Sequence, residues 1–189
     1  MICKVGFYAI IKALKNFTTP IGKTMNPKIK KILKEIVSTL LIVFVLSLVV
    51  NYFRSPKLDS NTLSPLEATL IDGSIWNSEE VKKPLVVHFW ATWCKVCKLE
   101  ASNIDTLAKE ANVITVAVNS GSNEEVKAFM RERGLSFRVI NDKEGVLAQK
   151  FKIEAFPTTF IFDSSKQLSS TQTGYTTLAG LKARLALTH

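Results

Sequence analysis

Two cysteines three positions apart, Cys94 and Cys97, are the side chains best equipped for chemistry in this sequence. They follow a continuous apolar run, Leu85 to Trp90 (LVVHFW), and open a stretch with helical patterning. An i, i+3 spacing on the first helical turn puts both sulfurs on one face, near enough to close a small-ring disulfide. Cys94 falls at the helix N-terminus, where unpaired N–H groups and the helix dipole favour negative charge. Thiols in such positions have pKa values lowered to roughly 3.5 to 7.5, and the thiolate is the attacking species. The ammonium of Lys95, one residue on, acts in the same direction. Cys97 lies a turn deeper and is placed to resolve a mixed disulfide formed by Cys94. The chemistry open to this pair is thiol–disulfide exchange.

Other uses of the spacing fare worse. A zinc site needs four ligands, and the remaining candidates are Cys3, His88 and His189, two of them near the ends of the chain. A structural staple is disfavoured because so short a loop restricts the unfolded chain little. Two thiolates could take Cu(I), a binding-module alternative in which neither Met130 nor Met25 is placed to add a third sulfur. Cys3 reads as a free thiol or as missing from the mature chain. No nucleotide-binding Gly-rich loop is present, so no cofactor is implied beyond the redox-active cysteine pair itself.

Around this pair the pattern alternates. A short hairpin is expected about Asp72-Gly73 (Ala68 to Ile71, Ile75 to Trp76), then strand Leu85 to Trp90 and a helix from about Cys94 to Glu110. Strand Val113 to Val118, helix Asn123 to Arg133, strand Phe137 to Ile140 and a short helix Gly145 to Phe151 follow. Strands Thr158 to Phe162 and Gln167 to Thr173 form a terminal hairpin, and helix Thr177 to Leu187 closes the chain. Such alternation predicts an α/β fold, a central mixed sheet with helices on both faces.

The 189 residues carry a formal charge of +9, unevenly. Residues 1–54 hold eight lysines and one arginine against a single acid, Glu35, whereas the rest of the chain has sixteen basic and fifteen acidic side chains. A nucleic-acid surface needs cations clustered on the folded domain, so that class is excluded. The excess flanks Ile36 to Phe53, which holds no charge and as a helix would be about 27 Å long, close to the bilayer hydrocarbon thickness. One transmembrane helix is therefore expected. Lys28, Lys30, Lys31 and Lys34 precede it and only Arg54 follows, so the positive-inside bias keeps the N-terminus cytoplasmic and exports the remainder. The expected organisation is a basic cytoplasmic segment over 1–35, the span over 36–53, a linker over 54–64 and the catalytic domain over 65–189. Residues 1–24 read either as an over-long start ahead of Met25 or as a short basic interfacial helix.

The run Leu85 to Glu100 (LVVHFWATWCKVCKLE) resembles the active-site strand and helix of the thioredoxin superfamily, in particular its membrane-anchored TlpA/ResA type. The stretches Val116 to Gly121, Val139 to Gly145, Phe156 to Ile161 and Gly174 to Thr177 are similar to the ScsD-like branch associated with suppression of copper sensitivity. The resemblance covers roughly residues 64–187. It implies a thioredoxin-like fold in the periplasm, anchored by a single pass in a bacterial inner membrane and exchanging disulfides with protein substrates. It also implies a membrane thiol partner of the DsbD/CcdA kind that supplies or removes electrons. A reductase, in cytochrome c maturation or in repair under copper or oxidative stress, is expected ahead of an oxidase or isomerase.

Carried over by position, Phe156-Pro157 matches the family's cis-proline loop, with Phe156 facing the disulfide and contributing to substrate choice. His88 stands where the family commonly has a buried Asp near the resolving cysteine. It is expected either as proton acceptor, its unperturbed pKa of about 6.5 suiting transfer near neutrality, or as a core histidine bonded to backbone. Trp93 is expected to shield the sulfurs and supply contact area, and Trp90 to pack in the core. Lys98, Glu100 and Glu154 are read as solvated surface.

Overall fold

The computed structural model describes residues 27–54, 56 and 60–188 of the chain, and it divides into two compact units, residues 1–48 and 49–189. The boundary falls within α1 (Pro27–Arg54), one 28-residue helix whose described side chains are all exposed from Lys28 onward. Among the described residues no helix is long and apolar enough to cross a membrane. The expected span over 36–53 falls partly outside them, since the side chains of Phe44 and of residues 47–54 are not described. Residues 1–24 lie outside them entirely.

The second unit is built on a five-stranded mixed sheet. In chain order its elements are β1 (Glu67–Thr69), β2 (Ile75–Asn77), β3 (Leu85–Trp90), α2 (Lys95–Ala108), β4 (Asn112–Val118), α3 (Asn123–Glu132), β5 (Val139–Asp142), α4 (Val146–Lys150), β6 (Thr158–Phe162), β7 (Leu168–Thr173) and α5 (Leu178–Ala186). The sheet order is β5-β4-β3-β6-β7, with β3, β4 and β5 parallel and β6 and β7 antiparallel to their neighbours. The β3 run is apolar because this central strand is buried on both faces.

Alternation along β3 divides the core. Leu85, Val87 and Phe89 face a cluster with Phe160, Phe162, Ile114, Val116 and Phe151. Val86 and Trp90 face the other side, with Ile104 and Leu107 of α2, Val126 and Met130 of α3, Leu181 of α5 and both active-site cysteines. Three helices therefore cover the cysteine face. The opposite face is covered by α4 and by the segment leading into β2, which supplies Leu63, Leu66, Leu70 and Trp76.

That segment corrects the expected linker. It begins at one sheet edge, where Thr62 pairs antiparallel with Gln167 and the Leu63 N–H donates to the Lys166 carbonyl at 2.8 Å. It ends at the other edge, where Leu70 bridges Ile140 and the Ile71 N–H donates to the Val139 carbonyl at 3.0 Å. Residues 61–64 thus belong to the folded domain, because burying Leu63 and pairing edge backbone outweigh the polar, proline-bearing composition. The strand expected at Phe137 to Ile140 lies two residues later, at Val139–Asp142, since Phe137 is buried edge-on against Trp90 outside the ladder.

The buried Asp105 ties α2 to the approach to β5. Its Oδ1 accepts the Ser136 N–H at 2.5 Å and the Ser136 hydroxyl at 3.0 Å. Burial works against ionisation of this carboxyl, but the Lys109 and Ser136 hydrogen bonds overcome it and the pKa lies below the ordinary value of 3.8. A depressed carboxyl pKa stabilises the fold above the unfolded value and loses that contribution as pH falls through the folded one. Asp105→Ala should cost about 1–3 kcal/mol in denaturant unfolding at pH 7, because it strands the Ser136 donors. The difference from wild type should shrink below pH 3.8.

Candidate active site

Four residues, Ala91 to Cys94, connect the end of β3 to α2, and they turn the chain so that Cys94 becomes the helix N-cap. The Cys94 N–H donates to the Ala91 carbonyl at 3.2 Å, closing the turn. The Cys94 sulfur accepts the Cys97 N–H at 3.1 Å, taking the place that a Ser or Asp oxygen fills in most N-caps. Cys94 and Cys97 are joined in a disulfide with Cα atoms 5.3 Å apart. Both are buried, at 7% and 2% exposure, Cys94 being the less enclosed of the two. On reduction, a thiolate at Cys94 would inherit the same N–H and the unpaired donors of the first helical turn.

Of the other expected residues, Trp93 and Phe156 meet beside this pair. Trp93 is 58% exposed and stands edge-on to Phe156 at 5.5 Å between ring centroids. Phe156 packs against both core clusters, including the one that contains the cysteines. The Phe156–Pro157 peptide is cis, as the resemblance implied, and the Pro157 carbonyl accepts the Gly174 N–H at 2.8 Å. Lys95 is the exposed first residue of α2. Trp90 is a core residue, its indole N–H donating to the Thr115 hydroxyl at 3.1 Å.

His88 sits on the cysteine-facing side of β3, paired across the sheet with Thr159, whose hydroxyl lies 2.9 Å from Nδ1. Burial pushes its pKa down to about 3, so the ring is neutral. Its surroundings match a core histidine, though the bond runs to a threonine side chain and not to backbone. A group so weakly basic is poorly suited to receiving protons near neutral pH.

Glu100 corrects the surface reading: it is fully buried. It follows Cys97 by one helical turn on the same face of α2. Oε1 accepts the Thr176 N–H at 3.3 Å, and among the described residues Oε2 has no hydrogen-bond partner. Burial raises the pKa from 4.5 to about 7, only partly offset by the Thr176 bond. The spacing carried the signal, because Cys97, Glu100, Ala101, Ile104 and Leu107 form one buried stripe.

A buried disulfide at the N-cap of a helix that follows the central strand, beside a cis-proline loop, defines the class of thioredoxin-like oxidoreductases. The model of the AhpC/TSA family matches residues 62–170, and the chain belongs to that family. It is 30% identical over 161 residues to a thioredoxin-like protein of Haemophilus influenzae, covering 84% of this chain and 95% of that one. It is 35% identical over 107 residues to the thiol-disulfide oxidoreductase ResA of Oceanobacillus iheyensis, covering 54% and 56% of the two chains. Among solved structures, the exposed lipoprotein thioredoxin Etrx1 of Streptococcus pneumoniae superposes with a TM-score of 0.58 at 25% identity, covering 66% of this chain and 99% of that one. The chain is a thiol–disulfide oxidoreductase.

A carboxyl whose pKa is raised on folding keeps the protein most stable while it is protonated. Stability should therefore fall as pH rises from the unfolded value of 4.5 through about 7, since the folded state holds the proton more tightly there. Glu100→Gln should flatten that decline in denaturant titrations of the oxidised protein. Parallel pH profiles for the two proteins would rule the raised carboxyl out.

Proposed function

We propose that this chain is a membrane-anchored, extracytoplasmic reductase of protein disulfides, and that the arrangement of Cys94 as a sulfur N-cap beside Cys97 is the observation that carries the reading. In the reduced protein the Cys94 thiolate attacks one sulfur of a substrate disulfide. A Cys94–substrate disulfide forms, and the substrate's other sulfur leaves as a thiolate that takes up a proton. Cys97 then gives its proton to a base and attacks the Cys94 sulfur. The second substrate thiolate departs, and the Cys94–Cys97 disulfide remains, two electrons having passed to the substrate.

Glu100 fits the base of the second step better than His88. A pKa of about 7 leaves the carboxylate substantially populated at neutrality, whereas a histidine held to about 3 is a weak acceptor. Glu100 also belongs to the buried stripe that carries Cys97. Trp93, Lys95, Phe156 and Pro157 border the approach to Cys94 and are the residues proposed to meet the substrate chain.

The anchored reading draws on α1. It is a continuous helix about 42 Å long by its 28 residues, and Ile36, Leu40, Val43 and Leu46 among its apolar side chains are exposed, as a lipid-facing surface requires. With the lysine bias ahead of Ile36, this supports a single pass in a bacterial inner membrane, N-terminus inside and the oxidoreductase domain in the periplasm. The proposed electron source is a membrane thiol protein of the DsbD/CcdA kind. The setting is cytochrome c maturation or repair under copper or oxidative stress.

In the full-length protein, Cys97→Ser should accumulate a mixed disulfide with substrate polypeptides, visible on non-reducing gels, while Cys94→Ser should accumulate none. Equal trapping by the two variants would reverse the assigned roles. Equilibration against a glutathione or dithiothreitol series should give a potential near −270 mV, and a value near −120 mV would make the protein a disulfide donor. Protease added to intact spheroplasts should degrade the oxidoreductase domain and leave a cytoplasmic control protein whole; protection of both would overturn the exported reading.

A further inference from the structure

The turn that carries Cys94 is braced from outside the cysteine helix. The loop after β4 supplies two contacts: the Trp93 indole N–H donates to the Asn119 carbonyl at 3.1 Å, and the Thr92 N–H donates to the Ser120 hydroxyl oxygen at 3.0 Å. Ser120 is itself fixed, its hydroxyl donating to the Val118 carbonyl at 3.0 Å. Asn119 holds its carbonyl in this direction through a left-handed backbone, φ 44°, a conformation that asparagine tolerates and most side chains do not. Two bonds to the end of β5 secure it: its N–H donates to the Asp142 carbonyl at 3.1 Å and its Nδ2 to the Lys143 carbonyl at 2.8 Å.

The far wall of the site leads back to the same place. Asp142 Oδ2 accepts the Ala148 N–H at 2.8 Å inside α4, which ends at Lys150, and the chain continues through Phe151 and Ile153 to Phe156. Trp93 and Phe156, which meet edge-on, are thus referenced to one strand end. An indole as exposed as that of Trp93 would otherwise sample several rotamers.

We propose that Asn119 is a positioning residue for disulfide exchange: by holding the Trp93 indole against Phe156 it presets a rigid aromatic wall beside Cys94, along which a polypeptide disulfide lies. A polypeptide gains from this wall because it need not order Trp93 on arrival. A small free disulfide reaches the sulfur while covering little of the wall. Fixing one large side chain in advance corresponds to a few-fold to about tenfold in binding. This inference rests on the proposed exchange at Cys94 and specifies how the substrate class is chosen.

The test compares exchange by the full-length protein in detergent with two probes, insulin and hydroxyethyl disulfide, using dithiothreitol as reductant. Trp93→Phe keeps a ring against Phe156 but removes the indole N–H. Asn119→Ala keeps the indole but strains the left-handed turn and removes the Nδ2 bond. In each variant the ratio of kcat/KM for insulin to that for hydroxyethyl disulfide should fall about three- to tenfold, through a higher KM for insulin. If Asn119→Ala does not fold, Trp93→Phe still decides. An unchanged ratio in either folded variant, or an equal loss on both probes, overturns the proposal. A wild-type protein no faster than Cys94→Ser on both probes would instead overturn the exchange function itself.

Discussion

Because β3 stays buried up to Trp90 and α2 begins at Lys95, the residues between must turn the chain and cap the helix at once. The cap is the Cys94 sulfur, held 3.1 Å from the Cys97 nitrogen. Much of the domain can be understood as support for that contact. The central strand delivers the turn, the packing of Ile104 and Leu107 fixes the helix over the sheet, and the loop after β4 holds the turn from the side. A helix N-terminus stabilises negative charge only over its first turn, so displacing the sulfur from the cap would forfeit much of its activation.

Two of the buried ionisable groups on the cysteine side of the sheet, His88 and Glu100, show how environment separates candidates for one role. His88 lies within a fully buried central strand, where desolvation makes its charged form costly and its ring bonds to a neutral hydroxyl. Glu100 is also desolvated, but its pKa of about 7 puts its ionisation near neutrality, and one of its oxygens is unpartnered among the described residues. Desolvation acts in opposite directions on the two, because it favours the neutral form of each. The result is a histidine that resists gaining a proton and a carboxylic acid that can lose or accept one in the physiological range.

Much of the fold was legible because periodicity and burial coincide. The bounds expected for β3 and β6 match those observed, both being short runs buried along their whole length. The cysteine pair was legible because its residue type, spacing and position after a strand agree. Less legible was whatever depended on distant chain segments. Glu100 has the composition of a surface residue, and its burial follows from the loop that brings Thr176 over α2. Asn119 and Ser120 lie in a stretch that carries the resemblance, but residue type alone gave them no role; that role depends on β4 lying beside β3, which brings the two loops within hydrogen-bond reach. Residues 61–64 were obscured by serine and proline, although Leu63, Leu66 and Leu70 hinted at a side facing inward.

The crossing segment also determines where mechanical load would enter the domain. Tension arriving through Ser60 would first reach the Asn61–Leu63 bonds to Lys166 and Leu168, beside the β6–β7 turn. That turn lies at the end of the sheet where Phe162 pairs with Leu85, whereas the cysteines follow the opposite end of β3. A load entering through Ser60 would therefore act at the end of the sheet remote from the reactive sulfur, and would meet the edge hydrogen bonds and the buried Leu63 before reaching the cap.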